Sequence, residues 1–195
     1  MTDAETIAAY DARARDYARL IGTEGEVRSL RDFIDALPKE ARVLDLGCGP
    51  GHASAEMARK GLLPDPVDAS TAMVDMAREK GLAARLARFE DIQGEGDYHG
   101  VWANFSLLHA RRDQFPELIA ALHRALVPGG LLHIGMKLGE GEQRDVLGRF
   151  YTYYTIPELT GILGAAGFAI TSITTGVGKG LAGTLDPWCL IGAQR

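Results

Sequence analysis

Hydrophobic positions along the chain alternate between helical spacing and short extended runs. The first segment predicts an amphipathic helix over residues 3–21, with Thr2 and Glu5 as its capping box. Further helices are predicted over 27–37, over 52–60, from the cap Ser70 to about 81, from the cap Asp113 to 126, and over 156–166. Short apolar runs predict strands over 41–46, 62–68, 83–88, 101–105, 131–137, 168–175 and 188–193.

The order of these elements predicts the fold class. Strands that alternate with helices favour an α/β protein with a doubly wound, mostly parallel seven-stranded sheet and helices on both faces. No helix separates the last two strands, so we expect an antiparallel C-terminal hairpin at one edge. Pro64 and Pro66 conflict with the second strand, because proline lacks the backbone donor that a central strand needs. Residues 97–98 and 138–151 are predicted as loops.

Composition and charge narrow the function classes. A chain of 195 residues with 46% hydrophobic positions suits one compact domain. The net charge of -5 and the scattered Lys and Arg disfavour a nucleic-acid partner. Cys48 and Cys189 are too few and too distant to suggest disulfides or a zinc site. The sequence shows neither a signal-peptide core nor an apolar run of membrane-spanning length, so we expect a soluble, cytoplasmic protein without a membrane partner.

The most informative stretch is Val43–Gly51, where a predicted strand ends and a helix begins within a few residues. Glycines in such a turn allow positive φ and the close approach of a ligand. The spacing is G-x-G-x-G, whereas dinucleotide-binding turns use G-x-G-x-x-G, and His52 stands where their last glycine would be. Asp45 would repel a pyrophosphate, but it would attract a cationic ligand by roughly 4 kcal/mol at about 4 Å.

Residues 43–51 resemble motif I of the class I S-adenosylmethionine-dependent methyltransferases, residue for residue. Residues 67–73, 89–92 and 127–130 resemble later motifs of that family in the same order. The resemblance extends from about Tyr10 to the end of the chain. It implies a Rossmann-like fold in which residues 1–38 form an N-terminal helical lid over a cofactor-binding domain of residues 39–195.

The resemblance also implies which residues contact S-adenosylmethionine. Asp68 would hold the ribose hydroxyls, Met73 would cover the adenine, and Asp91 with Ile92 would meet the edge of the adenine. The full set is Tyr10, Tyr17, Asp45, Gly47, Cys48, Gly49, Asp68, Ala69, Met73, Asp91, Ile92, Ala103 and Asn104. A helix-capping Asp68, a core Met73, a loop acid at Asp91 and packing roles for Tyr10 and Tyr17 remain open alternatives.

The methyl acceptor is expected beyond the fourth predicted strand. His109 follows this strand and is a candidate general base or orienting group, although a histidine there can simply satisfy local backbone groups. Arg144 and Tyr151, in and after the polar loop, are candidate substrate-binding residues, although Arg144 can equally be a solvated surface residue. The segment 104–107 lacks the motif of DNA amino-methylating enzymes, and residues 103–108 hold no carboxylate, so we expect no metal.

The leading hypothesis is therefore a methyltransferase that methylates an O, N or S atom of an unidentified small molecule. A non-catalytic domain that binds S-adenosylmethionine is a second hypothesis. A nicotinamide-dependent oxidoreductase is a third, disfavoured by the glycine spacing and by Asp45.

Overall fold

A computed structural model describes residues 3–19 and 24–195. The helices are α1 (Ala4–Tyr17), α2 (Glu24–Asp35), α3 (His52–Arg59), α4 (Thr71–Glu79), α5 (Phe115–Ala125) and α6 (Ile156–Ala165). The strands are β1 (Arg42–Leu46), β2 (Leu63–Asp68), β3 (Arg85–Leu86), β4 (Tyr98–Asn104), β5 (Leu126–Lys137), β6 (Glu142–Arg144), β7 (Phe150–Thr152), β8 (Ala169–Lys179) and β9 (Leu185–Gln194). Single 3₁₀ turns cover Phe89–Asp91 and Leu107–His109.

The central sheet has seven strands in the order β3-β2-β1-β4-β5-β9-β8. All pairs are parallel except those made by β9, which runs antiparallel to both β5 and β8. The predicted fold, including its C-terminal hairpin, is confirmed. The strand order reverses between β1 and β4, and ligands of open α/β sheets bind in the crevice beyond the strand ends at such a point.

The core explains why the inner strands read as continuous apolar runs. Leu44, Val101, Ile134 and Ile191 lie on four neighbouring strands and are fully or almost fully buried. Helices cover both faces of a parallel sheet, so its strands need hydrophobic residues on both sides. Within the described ranges, none of the helices combines the length and the apolar composition that a membrane span requires.

The two prolines of β2 are compatible with a full-length strand. Alternate residues of a strand direct their backbone groups to opposite sides, and the amide of Leu63 donates towards β1. Pro64 and Pro66 therefore face the other neighbour, β3, which pairs only with Val67 and Asp68. Since none of the described strands pairs with the prolines on that side, their missing N–H groups leave no ladder hydrogen bond unmade.

Several predicted boundaries need correction at the N-terminal ends of helices. Asp3 is the cap of α1 and accepts from the Thr6 amide at 2.8 Å, whereas Thr2, the predicted cap, lies outside the described residues, as does the predicted helix end at 21. Asp113 does not cap α5, because the helix begins one residue later, after Gln114, and Asp113 pairs with Arg111 instead. The cap at Ser70 is confirmed.

The predicted loops also need correction. Tyr98 belongs to β4, where its hydroxyl donates to Asp65 at 2.6 Å, so it is not a loop residue. The segment 138–151 contains β6 and the start of β7, which form a separate antiparallel hairpin. The third strand is only two residues long, and β8 and β9 are longer than predicted. Pairing between distant residues decides these lengths, and local sequence patterns do not report it.

Candidate functional site

The glycine turn after β1 packs directly against the turn after β4. Gly47 has φ +75°, and a Cβ at this position would lie 2.3 Å from the Cβ of Ser106. Ser106 donates a hydrogen bond from Oγ to the carbonyl of Leu46 at 2.6 Å. Glycine is therefore required here by the approach of a neighbouring turn, a reason that the sequence alone did not reveal.

Asp45 is a buried carboxylate directly beneath this turn. It is 2% exposed and accepts a hydrogen bond from Ser54 Oγ on α3 at 2.6 Å. Burial raises its pKa to about 7, because desolvation penalises the charged form more than the Ser54 bond favours it. A cationic group bound nearby would restore the ionised form.

Asp68 ends β2 and joins the glycine turn to the start of α4. Its two oxygens accept from the amides of Gly49 and Ser70, each at 2.8 Å. Burial nevertheless raises its pKa, and these amide bonds oppose the shift. Asp68 is thus held at the strand end by backbone donors, with its carboxyl group beside a cavity.

Two adjoining cavities lie beyond the carboxyl ends of the parallel strands. The smaller is about 80 Å³ and is lined by Asp68, Ala69, Met73, Phe89 and His109, among others. The larger is about 360 Å³ and is lined by Asp45, Cys48, Asn104, Arg149 and Tyr151, among others. Five residues line both cavities: Tyr10, Tyr17, Gly47, Gly49 and Phe105. The structure thus brings most of the predicted cofactor residues to one crevice.

Three predicted cofactor residues do not line either cavity. Asp91 is exposed and accepts from the amide of Arg88 at 2.9 Å, within its own 3₁₀ turn. Ile92 packs against the main core, and Ala103 is fully buried within it. Phe89, from the same turn as Asp91, lines the smaller cavity.

Cys48 is a buried residue of the turn, and its thiol donates to the carbonyl of Gly49 at 3.4 Å. Burial raises the pKa of this thiol, so it stays protonated. Asn104 ends β4, where its amide nitrogen donates to Glu26 at 3.2 Å and its oxygen lies 3.1 Å from Nε2 of the buried His133. Burial lowers the pKa of His133 to about 3, so the ring is neutral.

His109 is held by a hydrogen-bond chain that begins on α1. Its Nδ1 lies 2.6 Å from the carbonyl oxygen of Phe150, which only accepts, so Nδ1 carries the proton. Nε2 therefore accepts from the Tyr10 hydroxyl at 2.9 Å, and Arg149 donates to that hydroxyl at 3.1 Å. Burial lowers the pKa of His109 to about 4, so the imidazole is neutral at pH 7.

Helix α1 lies over both cavities and is fixed at several points. Asp11 accepts from Ser70 Oγ at 2.6 Å, and Thr6 Oγ1 accepts from the amide of Phe150 at 2.8 Å. The rings of Tyr10 and Tyr17 meet edge to face, with centroids 5.5 Å apart. The helix bends at Arg13, whose φ and ψ are non-helical. Its contacts thus join the two sides of the crevice.

The two predicted substrate residues lie in different places. Tyr151 is 3% exposed and lines the larger cavity, with Lys137 Nζ 4.4 Å from its ring centre. Arg144 is on β6, away from the cavities, and donates to both oxygens of Asp3 at 2.7 and 2.9 Å. This ion pair holds the pKa of Asp3 well below its usual range. Arg144 therefore fastens the start of α1.

Several cavity residues were not predicted from the sequence. Arg149 is 2% exposed and donates to Asp145 through Nε at 2.9 Å and Nη2 at 2.6 Å. Lys137 ends β5, and its position at the carboxyl end of a parallel strand was a usable signal. Phe105 follows β4 with φ +54°, a conformation that a non-glycine residue rarely adopts. No sequence signal identified Phe105 or Arg149.

Among residues 3–19 and 24–195, no group of three or more His, Cys, Asp or Glu side chains is arranged to hold a metal ion. The expectation that the site uses no metal stays a prediction.

Comparisons with known proteins agree with this geometry. Residues 43–130, just under half of the chain, match a family model described as a methyltransferase domain. The chain is 37% identical over 73 residues to trans-aconitate 2-methyltransferase of Mycobacterium tuberculosis, a match covering 36% of this chain and 28% of that protein. It is 35% identical over 102 residues to ubiquinone biosynthesis O-methyltransferase of Xanthomonas oryzae pv. oryzae, covering 48% and 42%, respectively. The chain thus matches less than half the length of these relatives.

A solved structure with a similar fold is 1,6-didemethyltoxoflavin-N1-methyltransferase of Burkholderia thailandensis, which contains bound 1,6-didemethyltoxoflavin and S-adenosylhomocysteine. The superposition has a TM-score of 0.76 at 23% identity and covers 98% of this chain and 88% of that one. At this identity the likeness concerns the fold. The family match shows that residues 43–130 resemble a methyltransferase domain, and the order of the strands, the glycine turn and the helices in the fold agrees with that match.

Proposed function

We propose that the protein is a methyltransferase that transfers a methyl group from S-adenosylmethionine to an O, N or S atom of a small molecule. The observation that carries this proposal is the pair of carboxylates, buried Asp45 and half-buried Asp68, on either side of the Gly47–Gly49 turn. The relatives that match part of the chain are named as methyltransferases, which supports the same activity.

The residues present fit S-adenosylmethionine. The Asp68 carboxylate accepts hydrogen bonds and suits the ribose hydroxyls, since bonds to charged groups are roughly twice as strong as neutral ones. Met73 and Phe89 give the smaller cavity apolar surface for the adenine. Asp45 supplies negative charge for the cationic part of the molecule. When bound, S-adenosylmethionine supplies a methyl group activated by the positive charge on its sulfur.

The main contribution of the chain to catalysis would be positioning and the exclusion of water. Well-oriented reactants can lower a barrier by about 7 to 11 kcal/mol. Tyr10 and Tyr17 line both cavities, so α1 would act as a lid in the segment 1–38 over the domain of residues 39–195. Ala69, Cys48 and Asn104 would complete the cofactor contacts.

We assign His109 an orienting role. Both of its ring nitrogens are already hydrogen-bonded, and its pKa of about 4 makes it a weak base. His109→Gln keeps a hydrogen-bonding side chain but cannot take up a proton. It should retain much more turnover than His109→Ala if the histidine positions Tyr10, whereas equal loss in both variants would favour a base.

The two free cysteines suit a reducing compartment, and we place the protein in the cytoplasm on that ground. A small-molecule acceptor fits the size of the larger cavity better than a nucleic acid does, and the net charge of -5 agrees.

The proposal is tested with methyl-labelled S-adenosylmethionine and a fractionated metabolite extract. Calorimetry first measures binding of S-adenosylmethionine, and mass spectrometry then identifies labelled products; Asp68→Ala serves as the binding-deficient control. Binding without transfer to any fraction would favour a non-catalytic domain. Tight binding of NADH instead, followed by fluorescence, would favour an oxidoreductase.

A further inference from the structure

The charged residues of the larger cavity form an acidic part and a mainly basic part along the edge of the sheet. Asp45 on β1 and Glu26 on α2 line the part beside the glycine turn. Lys137 at the end of β5 and Lys179 at the end of β8 line the part beyond, as does Arg149. β4 separates β1 from β5, and neighbouring strands lie about 4.8 Å apart, so Asp45 and Glu26 lie apart from these three bases. The remaining acid of the cavity, Asp186 on β9, lies beside Lys137.

The basic part retains an unpaired positive charge. Lys137 donates to Asp186 at 2.6 Å, and Arg149 forms its ion pair with Asp145. Lys179 is exposed, and in the described part of the chain it has no ion-pair partner. Three cations therefore face two carboxylates. Lys137 also keeps further N–H donors, because an ammonium has three and Asp186 takes one.

Among the described residues in and around the basic part, no histidine or tyrosine readily accepts a proton at pH 7, and Asp145 and Asp186 are held in ion pairs. Both nitrogens of His109 are engaged, and burial lowers its pKa. Burial raises the pKa of the Tyr10 and Tyr151 hydroxyls, so these remain protonated. Asp45 lies beneath the glycine turn and is bound by Ser54. An acceptor in the basic part must therefore arrive already nucleophilic.

We propose that the acceptor is an organic oxyanion, bound through its negative charge by Lys179, Lys137 and Arg149 and methylated on an oxygen that is unprotonated at neutral pH. This inference rests on the proposed methyltransferase function. A carboxylate, or an enol or phenol acidic enough to be ionised at pH 7, meets the requirement. Phe105 and Trp188 offer apolar surface for its carbon skeleton.

The reaction is balanced without a base. The oxyanion donates an electron pair to the methyl carbon and forms the new carbon–oxygen bond. The sulfur–methyl bond breaks as the oxygen attacks, and its electron pair stays on the sulfur. The negative charge of the acceptor and the positive charge of the sulfonium cancel, so neutral methylated product and S-adenosylhomocysteine form and no proton is released.

Binding is tested by calorimetry on the full chain saturated with S-adenosylhomocysteine. The probes are benzoate, cinnamate and fumarate, each compared with its neutral amide. We expect at least one acid to bind at least tenfold more tightly than its amide, and Lys179→Met to reduce that preference at least threefold. Lys39→Met, which removes an exposed lysine away from the cavities, is the matched control. No preference for any acid, or equal effects of the two variants, would overturn the inference.

Turnover is tested on the labelled products obtained from the metabolite extract. Mild alkali releases labelled methanol from a carboxyl ester but leaves an enol or phenol ether intact, so this treatment distinguishes the two oxyanion sources. A weakly buffered assay with a pH indicator should detect no proton release during transfer. Label on nitrogen or sulfur, or one proton released per turnover, would overturn the oxyanion inference alone. Failure to bind S-adenosylmethionine would instead overturn the proposed function.

Discussion

Arg149 donates a hydrogen bond to the hydroxyl of Tyr10 over 3.1 Å, although 139 positions separate the two residues in the chain. Tyr10 in turn donates a hydrogen bond to Nε2 of His109, and Arg149 is fixed by Asp145. The contact therefore connects α1 to the segment before β7 across both cavities. The position of the lid helix and the shape of the acceptor cavity depend on each other through this pair.

Tyr10→Phe should destabilise the protein by about 1 to 3 kcal/mol, because it leaves a buried donor on Arg149 and an acceptor on His109 without their partner. Urea unfolding, followed by intrinsic fluorescence, measures the change. The control is Tyr153→Phe, which removes a hydroxyl from a nearby tyrosine that lines neither cavity. Equal stability of Tyr10→Phe and the unaltered protein would mean that the contact contributes nothing.

Asp68→Ala should weaken S-adenosylhomocysteine binding by about 1.5 to 3 kcal/mol, the range for hydrogen bonds to a charged group. The loss includes the support that Asp68 gives to the amides of Gly49 and Ser70. Calorimetry provides the affinity. Asp75→Ala on α4, where the side chain is 61% exposed, should bind as the unaltered protein does. A ribose role for Asp68 is refuted if its variant binds equally well.

Gly47→Ala should be more destabilising than Gly61→Ala. Both glycines have positive φ, which costs a residue with a Cβ about 1 to 2 kcal/mol. Only at position 47 would the Cβ also collide, since nothing lies within 4 Å at position 61. Overpacking adds about 1 to 3 kcal/mol. Thermal unfolding measures the loss of stability in each variant. Equal losses would show that Ser106 moves aside without an energetic penalty.

S-adenosylmethionine binding at pH 7 should release up to about half a proton, because Asp45 has a pKa near 7 and the cationic ligand favours its ionised form. Calorimetry in two buffers of different ionisation enthalpy measures the release. Asp45→Asn should abolish it. Affinity should rise between about pH 5.5 and 7 in the unaltered protein, and an identical release in Asp45→Asn would assign the proton elsewhere.

The same pKa affects the stability of the ligand-free protein. Asp45 in the folded chain keeps a proton that the unfolded chain, with its ordinary pKa of 3.8, has already lost. Its stabilising contribution is therefore present below about pH 4 and is lost as the pH rises through 7. Unfolding midpoints in urea should show this loss, and Asp45→Asn should depend less on pH over that range.

The order of the elements, the sheet class and the glycine turn with its two acids could be predicted from the sequence. Period-2 and period-3.6 patterns are local features of the sequence, and they locate the ends of the strands. Ligands of parallel sheets bind beyond the carboxyl ends. Asp45 and Asp68 occupy such ends, and their positions therefore followed from the strands alone. The cap at Ser70 is a local feature of the same kind.

Which side chains of the segment after β5 reach the crevice depends on long-range packing. Arg144 and Arg149 are five residues apart in a polar stretch, and the pairing of β6 with β7 places the first against Asp3 and the second against Tyr10. Phe105 adopts its positive φ next to the crowded glycine turn. These positions depend on contacts between residues that are distant in the chain, and no local pattern encodes such contacts.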